Sequence, residues 1–272
     1  MNEPVPPKPA ASVLLVRPAP PGAAEPLEVY MVRRHRGMRF LGGYWAFPGG
    51  NVDPDDASAA AFARCRGLDP ATAAALLQPD HDTPPPLAYW VAVVRELLEE
   101  SGVLLAADAG ERRIEASKAE VAAAIERMRQ SLVGGESSFS GLLADAGWHC
   151  DLRPLRYVSH YITPKSSPIR FSARFFLCPV PHDQAPRLFT EETSEAAWIA
   201  PGEGHRRFRT GAMAMAEPAE YGLAYLAQFG SADELWAAHT DGREKFRGTI
   251  DRLDVFWDRF DWKQNRWPEP RS

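Results

Sequence analysis

The segment that most constrains the fold is residues 87–103, an apolar stretch that ends in a cluster of glutamates. Its large apolar side chains recur at three- and four-residue spacing, which predicts a helix with one face packed on a core. Gly102 stands where this helix should end, because glycine adopts the left-handed C-cap conformation at little cost. At about 100° per residue, Glu96, Glu99 and Glu100 lie together on a different face of the helix.

These three glutamates are unfavourable for an isolated helix. Carboxylates within one turn repel one another, and the helix dipole disfavours negative charge at the C-terminal end. A bound cation would remove this penalty, and oxygen-only ligands suit a hard ion such as Mg²⁺ or Mn²⁺. We therefore predict that Glu96, Glu99 and Glu100 hold a divalent metal ion. A solvated acidic helix face is the alternative interpretation.

A second motif lies upstream, at Gly49 and Gly50. A double glycine after an aromatic-proline step predicts a tight turn whose exposed backbone N–H groups suit the approach of a phosphate. Residues 95–103 fit the pattern R-E-U-x-E-E-x-G-U, where U is aliphatic, and Gly50 opens the pattern G-x5-E, which ends here on Asp56 instead of Glu. These patterns are the two halves of the Nudix box, so the chain resembles a Nudix hydrolase.

The two halves of the box lie further apart than the Nudix pattern places them. The arginine expected at position 64 stands at 95, which leaves an alanine-rich insert at residues 57–86. Together with H-Y-I-T-P at residues 160–164 and R-F-x-x-R-F-F at 170–176, this long box resembles the subgroup that includes peroxisomal coenzyme A diphosphatases. We expect the insert at 57–86 to help select the substrate.

The resemblance implies a fold of the α+β class, a Nudix-type α/β/α sandwich around a mixed β-sheet with helical insertions and a helical C-terminal extension. Residues 1–10 are expected to be a flexible N-terminus and residues 11–202 the Nudix domain, with a helical insert at 111–147. Residues 203–272 are expected to be the helical extension, packed on the domain. Its large aromatic side chains are predicted to cover the domain or a homodimer partner: Phe256, Trp257, Phe260, Trp262 and Trp267.

The resemblance also implies a reaction, the Mg²⁺- or Mn²⁺-dependent hydrolysis of the pyrophosphate bond in a nucleoside diphosphate linked to another moiety. Glu99, Glu100 and Arg95 are its expected catalytic residues, with Arg95 orienting the carboxylates. The first candidate substrate is coenzyme A or an acyl-coenzyme A. Two alternatives stay open: an enzyme acting on ADP-ribose, NADH or another nucleoside diphosphate derivative, and a non-catalytic ligand-binding module with the same fold.

Several polar residues outside the glutamate cluster are candidates for contact with this small-molecule substrate. Arginines suit phosphates because their guanidinium forks match the phosphate oxygens. A later glutamate commonly serves Nudix enzymes as a general base or an extra metal ligand. The substrate-binding candidates are Arg34, Arg36, Arg39, Gly49, Gly50, His160 and Arg170, with Lys165 and Arg174 as further options, and the glutamate candidates are Glu191, Glu192 and Glu195.

Composition and charge exclude several kinds of partner. The formal net charge of −5 leaves no broad basic surface for nucleic acid. The proline-rich N-terminus is not a signal peptide and no apolar run approaches the length of a membrane span, so we expect a cytoplasmic protein without membrane association. The three cysteines form neither a C-x-x-C pair nor an even disulfide framework, which favours a reduced compartment.

Overall fold

The computed structural model describes residues 5–38, 40–77, 83–189 and 193–240, and the backbone of residues 246–247. Within these ranges eleven strands and eight helices follow one another. The strands are β1 (Lys8–Pro18), β2 (Leu27–Arg34), β3 (Trp45–Ala46), β4 (Gly49–Asn51), β5 (Cys65–Arg66), β6 (Ala106–Ala107), β7 (His149–Asp151), β8 (Arg156–Ile162), β9 (Phe171–Pro179), β10 (Thr193–Ile199) and β11 (Phe246–Arg247). The helices are α1 (Ala59–Ala63), α2 (Pro70–Leu77), α3 (Leu87–Ser101), α4 (Ala119–Val133), α5 (Phe139–Asp145), α6 (Pro201–Arg209), α7 (Glu217–Leu226) and α8 (Ala232–Ala237).

A mixed sheet of eight strands forms the centre of the molecule. Six of its strands run in the order β10-β2-β1-β9-β8-β11, and the short strands β3 and β4 pair with β2 and β1. β1 pairs in parallel with β9 along nearly its whole length and antiparallel with both β2 and β4. The pairing with β4 matters for the site, because it fixes the double glycine against the middle of the sheet.

The side chains of β1 alternate between two apolar cores. Ala11, Val13 and Leu15 belong to the core on one face, which includes the apolar residues of α3. Leu14 and Val16 belong to the core on the other face, which includes Leu223 of α7 and other apolar residues of the later helices. A strand buried on both faces explains the continuous apolar run. The predicted α/β/α sandwich is therefore confirmed.

Helix α3 is the central helix on its face of the sheet. Apart from Glu99 and Glu100, all its residues are buried, and the Trp90 ring packs edge-on against Phe176 with centroids 4.9 Å apart. Gly102 ends the helix in the left-handed conformation (φ 72°), and its N–H donates to the carbonyl of Leu98. The helix and its glycine cap follow the sequence prediction, and the partly exposed last turn is where the glutamates lie.

The insert at 57–86 forms a small scaffold beside α3. Its helices α1 and α2 contribute Ala61, Ala73 and Leu77 to the core that contains α3. Its strand β5 pairs in parallel with β7 in a second sheet of three strands, β5-β7-β6. Asp69 caps α2 by accepting hydrogen bonds from the N–H groups of Ala71 and Thr72, both at 2.9 Å.

Both ends of the domain differ from the sequence expectation. β1 already begins at Lys8, inside the segment 1–10 that was expected to be flexible, because the parallel pairing with β9 extends to this residue. Helices α6 and α7 complete the second face of the sandwich, since Leu223 and Leu226 are part of its core. β11 then adds a strand beside β8 within the segment expected to be helical. The aromatic residues at 256–267 lie outside the described residues.

The part of the chain that the structure describes contains no helix that is both long and apolar enough to cross a membrane.

Candidate active site

The last turn of α3 meets the double glycine of β4, and the two halves of the box join there. A Cβ atom on Gly49 (φ 152°) would lie 2.3 Å from the carbonyl oxygen of Ala11, and one on Gly50 would lie 2.4 Å from Oε1 of Glu96. Gly49 meets backbone atoms at positive φ, so glycine is required there, whereas a side chain at Gly50 would displace the Glu96 carboxylate. The double glycine therefore brings the loop against β1 and against the glutamate helix.

Arg95 connects the two halves through six acceptor atoms on four residues. Its Nη2 donates to the carbonyl of Asn51 at 2.7 Å and to Oδ2 of Asp56 at 2.9 Å, and its Nε donates to Oδ1 of Asp56 at 3.0 Å. Its Nη1 donates to Oε1 of Glu96 at 2.8 Å and to both carboxylate oxygens of Glu99, the closer at 3.2 Å. This buried guanidinium fixes the orientation of the carboxylates around it, the role expected from the sequence.

Asp56, which replaces the glutamate of the pattern, is fully buried in a 3₁₀ turn. Besides the bonds from Arg95, its Oδ2 accepts a hydrogen bond from the N–H of Asp53 at 2.8 Å. Asp56 is not among the residues that line the adjoining cleft. Its carboxylate therefore anchors Arg95, and the departure from the pattern leaves the cleft carboxylates unchanged.

Glu96, Glu99 and Glu100 all line the cleft. Oε2 of Glu100 accepts a hydrogen bond from the N–H of Gly49 at 2.9 Å, so each glutamate is held by the other half of the box or by Arg95. Burial raises the pKa of Glu96 to about 8, with repulsion from Glu100 and Glu99 adding to the shift and Arg95 opposing it. Burial likewise raises the pKa of Glu99, again against the influence of Arg95.

The donor set of these glutamates suits a hard divalent cation. One guanidinium, that of Arg95, is shared by Asp56, Glu96 and Glu99, so the cluster keeps an excess of negative charge that a divalent ion would neutralise. Among the described residues, no three His, Cys, Asp or Glu side chains are already arranged as a metal site. Since each carboxylate has two oxygens, the glutamates are able to keep their present bonds and still ligate a cation.

The cleft has a volume of about 650 Å³ and a lining of mixed chemical character. Besides the three glutamates, its described lining includes apolar, largely aromatic side chains: Phe40, Leu41, Tyr44, Phe47, Tyr161, Phe171 and Phe175. The cations among the described lining residues are Arg34, Arg95 and Arg129. The cleft therefore offers both charged and apolar surface to a ligand.

The arginine loop contributes less to this cleft than its sequence suggested. Arg34 lies on the cleft wall, half-buried, and its Nε donates to the carbonyl of Phe40 at 3.3 Å. Arg36 is exposed and does not line the cleft. Arg39 lies outside the described residues.

His160 and Arg170 do not line the cleft, contrary to their prediction as substrate-binding residues. Nε2 of His160 lies 2.8 Å from Oγ of Ser172 on the neighbouring strand. Arg170 is buried and donates to the carbonyls of Thr163 at 2.9 Å and Val5 at 2.6 Å, so it ties the N-terminal segment to the turn between β8 and β9. His160 on β8 and Arg170 at the start of β9 therefore bond to residues of the sheet, its turn and the N-terminal segment, and not to the cleft.

Lys165 also lies outside the lining, and Arg174 packs its guanidinium over the ring of Tyr89.

The candidate glutamates on the later loop have different outcomes. Glu195 lies on β10, exposed and outside the cleft, and forms an ion pair with Arg33 at 2.6 Å. The ion pair with Arg33 accounts for the charge of Glu195 without a role in the site. Glu191 and Glu192 lie outside the described residues. Their flanking residues Phe189 and Thr193 both line the cleft.

The sequence prediction assigned the insert at 57–86 to substrate selection and did not name Arg129, which lines the cleft. No described residue of the insert at 57–86 lines the cleft, because its apolar residues are turned into the core. The other insert, at 111–147, supplies Arg129, Leu132 and Val133 through α4. The sequence signal that could have identified Arg129 is its position on the apolar stripe of the amphipathic helix α4.

Solved structures establish the class of this protein. A NUDIX hydrolase from Alicyclobacillus acidocaldarius is 31% identical in sequence and matches with a TM-score of 0.68, over 84% of this chain and 94% of that chain. The sandwich and its glutamate-bearing helix are those of a Nudix hydrolase.

The particular family follows from the sequence as a whole. Residues 8–226 match the family described as NUDT19 Nudix domain, and the chain belongs to that family. The match runs through α6 and α7, in agreement with their place in the sandwich.

Two curated relatives are more distant in sequence. The acyl-coenzyme A diphosphatase NUDT19 of Gallus gallus is 28% identical over 270 residues, which covers 85% of this chain and 71% of the relative. The putative nudix hydrolase 7 of Caenorhabditis elegans is 28% identical over 200 residues, which covers 74% of this chain and 56% of the relative. The chain thus spans little more than half the length of one relative and about seven-tenths of the other.

Proposed function

We propose that this chain hydrolyses the pyrophosphate bond of coenzyme A or an acyl-coenzyme A in the presence of Mg²⁺ or Mn²⁺. The observation that carries the proposal is that Glu96, Glu99 and Glu100 line one cleft together with apolar and aromatic side chains. A diphosphate with a long, partly apolar substituent is complementary to both kinds of surface. The Gallus gallus relative is an acyl-coenzyme A diphosphatase, which supports the same substrate class.

The glutamates and the groups that hold them have different parts in the proposed reaction. Glu96, Glu99 and Glu100 would hold the divalent ion, which when bound neutralises phosphate oxygens and lowers the pKa of a water molecule. Arg95 keeps Glu96 and Glu99 in place through its Nη1 bonds. The bond from the Gly49 N–H fixes Glu100 across the junction of the box. The backbone and Arg95 thus organise the carboxylates before a substrate arrives.

A second candidate function is the hydrolysis of ADP-ribose, NADH or another nucleoside diphosphate derivative. The aromatic residues of the cleft lining, including Tyr44, Tyr161 and Phe171, fit this candidate equally well, because aromatic rings stack on nucleobases and all of these substrates carry an adenine. A non-catalytic binding module is less consistent with the site. It would have no need of three mutually repelling glutamates on one helix turn.

Product analysis separates these functions. The protein is incubated with Mg²⁺ and, in separate reactions, coenzyme A, an acyl-coenzyme A, ADP-ribose and NADH, and the products are identified by mass. We expect adenosine 3′,5′-bisphosphate and phosphopantetheine, or its acyl form, as the main products. AMP from ADP-ribose or NADH as the dominant product would overturn the coenzyme A assignment, and no product from any substrate would overturn the enzymatic one. EDTA in a parallel reaction serves as the metal-free control.

A further inference from the structure

We propose that Arg129, on the insert helix α4, binds a phosphate group of the substrate beside the glutamate cluster. This inference rests on the proposed function, because it takes the ligand of the cleft to be a nucleoside diphosphate derivative. It assigns to the insert at 111–147 a direct part in substrate binding.

The position of Arg129 is fixed at the cleft wall. Its side chain is only 7% exposed, its Nη1 donates to the backbone carbonyl of Glu99 at 3.3 Å, and its guanidinium stacks 3.5 Å from the centre of the Phe189 ring. Glu99, Phe189 and Arg129 all line the cleft. The guanidinium of Arg129 is therefore hydrogen-bonded to the backbone of Glu99, one of the proposed metal ligands.

The cleft needs such a cation on electrostatic grounds. Three glutamates repel an incoming diphosphate, and a metal ion bound to them is largely neutralised by its own ligands. Arg95 lines the same cleft, but its guanidinium is engaged by Asp56, Glu96 and Glu99. The other arginines on the described cleft wall are Arg34 and Arg129.

Arginine is well suited to this task. A guanidinium remains charged when buried and forms paired hydrogen bonds to phosphate oxygens. The ion pair of Arg129 with Glu126 is long, 3.8 Å between Nε and Oε1, and Glu126 is also bonded to Arg187 and Gln130. This pair and the stacking on Phe189 together orient the guanidinium of Arg129.

A purely structural role is the competing interpretation. Arg129 reaches a carbonyl at the C-terminal end of α3, where a positive charge also stabilises the helix dipole. A residue with that role alone would affect the melting temperature without changing the affinity for phosphate ligands.

Four variants separate the two roles. Arg129→Gln removes the charge, Arg129→Met removes it while keeping an apolar stem, and Arg129→Lys keeps a charge without the fork. Arg127→Gln is the matched control, because Arg127 is exposed on the same helix and does not line the cleft. For each variant, kcat and KM for coenzyme A, the melting temperature, and binding of adenosine α,β-methylene diphosphate with Mg²⁺ by calorimetry are measured.

We expect Arg129→Gln and Arg129→Met to raise KM about tenfold and to weaken binding of the analogue by a similar factor, the loss of one charge-assisted contact. Turnover should stay within about threefold, Arg129→Lys should recover part of the affinity, and Arg127→Gln should match the wild type. Should Arg129→Gln fail to fold, Arg129→Met gives the same test.

Two results would overturn the inference: unchanged analogue affinity in the uncharged variants, or an analogue that does not bind the wild type. A wild type that binds the analogue yet hydrolyses no substrate would instead refute the proposed function, and the binding data would still decide the role of Arg129.

Discussion

Arg95 shows how one buried charge organises the whole site. Its acceptors Asn51 and Asp56 lie in the first half of the box, and its acceptors Glu96 and Glu99 lie in the second half. Its burial among carboxylates explains why the pattern requires arginine: a lysine offers a single point charge and lacks the planar fork that reaches four partners. The pair of Arg95 and Asp56 is therefore the anchor of the site, while the glutamates face the cleft.

Asp56→Asn tests this anchor. Loss of the negative charge leaves Arg95 without its fully buried ion-pair partner, so the free energy of unfolding should fall by about 3–5 kcal/mol. Asp53→Asn is the control, because Asp53 is 56% exposed and lies 3.7 Å from Arg95, and it should cost less than about 1 kcal/mol. Urea unfolding measures both values. Equal losses in the two variants would contradict the anchoring role of Asp56.

Glu96 makes the stability of the metal-free protein depend on pH. Its pKa is about 8 in the folded chain and near the ordinary value of 4.5 when unfolded, so between these values the folded chain retains a proton that the unfolded chain has lost. The free energy of unfolding should therefore fall as pH rises from about 5 to 8. Urea unfolding in EDTA at several pH values measures this decline, and Glu96→Gln should flatten it. An unchanged slope in that variant would contradict the assigned shift.

At the scale of elements, the two inserts differ in their relation to the cleft. The insert inside the box forms α1, α2 and β5 and packs its apolar residues into the core beside α3. The later insert supplies α4, whose Arg129 and Leu132 line the cleft. Adjacency to the box in sequence suggested the first insert for substrate selection, but its described residues contact the box helix through the core and do not line the cleft.

Asp69→Ala tests the scaffold role of the first insert. The change removes the N-cap of α2 and should lower the free energy of unfolding by about 1 kcal/mol. Because no described residue of this insert lines the cleft, KM and kcat for coenzyme A should stay as in the wild type. Thermal unfolding and steady-state kinetics on the same preparation give both values. A changed KM with an unchanged melting temperature would indicate that the insert takes part in substrate selection.

Some elements were predictable from sequence, and the reasons are local. The spacing of apolar residues and the glycine cap predicted α3, and the run before Pro18 predicted β1. The two-residue strands β3, β5 and β6 are too short to show a period. The parallel pairing of β1 with β9 joins residues about 160 positions apart, so no local pattern contains it. His160 and Arg170 were predicted to contact substrate because the sequence does not show their bonding partners, which are Ser172 across the β8–β9 pair for His160 and Thr163 and the distant Val5 for Arg170.

At the scale of the whole molecule, the sandwich explains why the site is where it is. The sheet holds β4 through β1, α3 lies across the same strands, and the cleft opens where the glycine loop meets the last turn of that helix. Helices α6 and α7 close the opposite face, and Ala216 and Ala219 line the cleft. Residues from the sheet and from helices on both of its faces thus contribute to one cleft.

We propose that Glu100 and its neighbours make this protein a metal-dependent hydrolase of coenzyme A-type diphosphates. Comparing wild-type and Glu100→Gln turnover of coenzyme A with Mg²⁺ tests this proposal, with products identified by mass and folding checked by thermal unfolding. Glutamine keeps the shape and accepts the same bond from Gly49. We expect adenosine 3′,5′-bisphosphate and phosphopantetheine from the wild type and at least about a 100-fold loss in the folded variant. Near wild-type, Mg²⁺-dependent turnover by Glu100→Gln would refute the proposal.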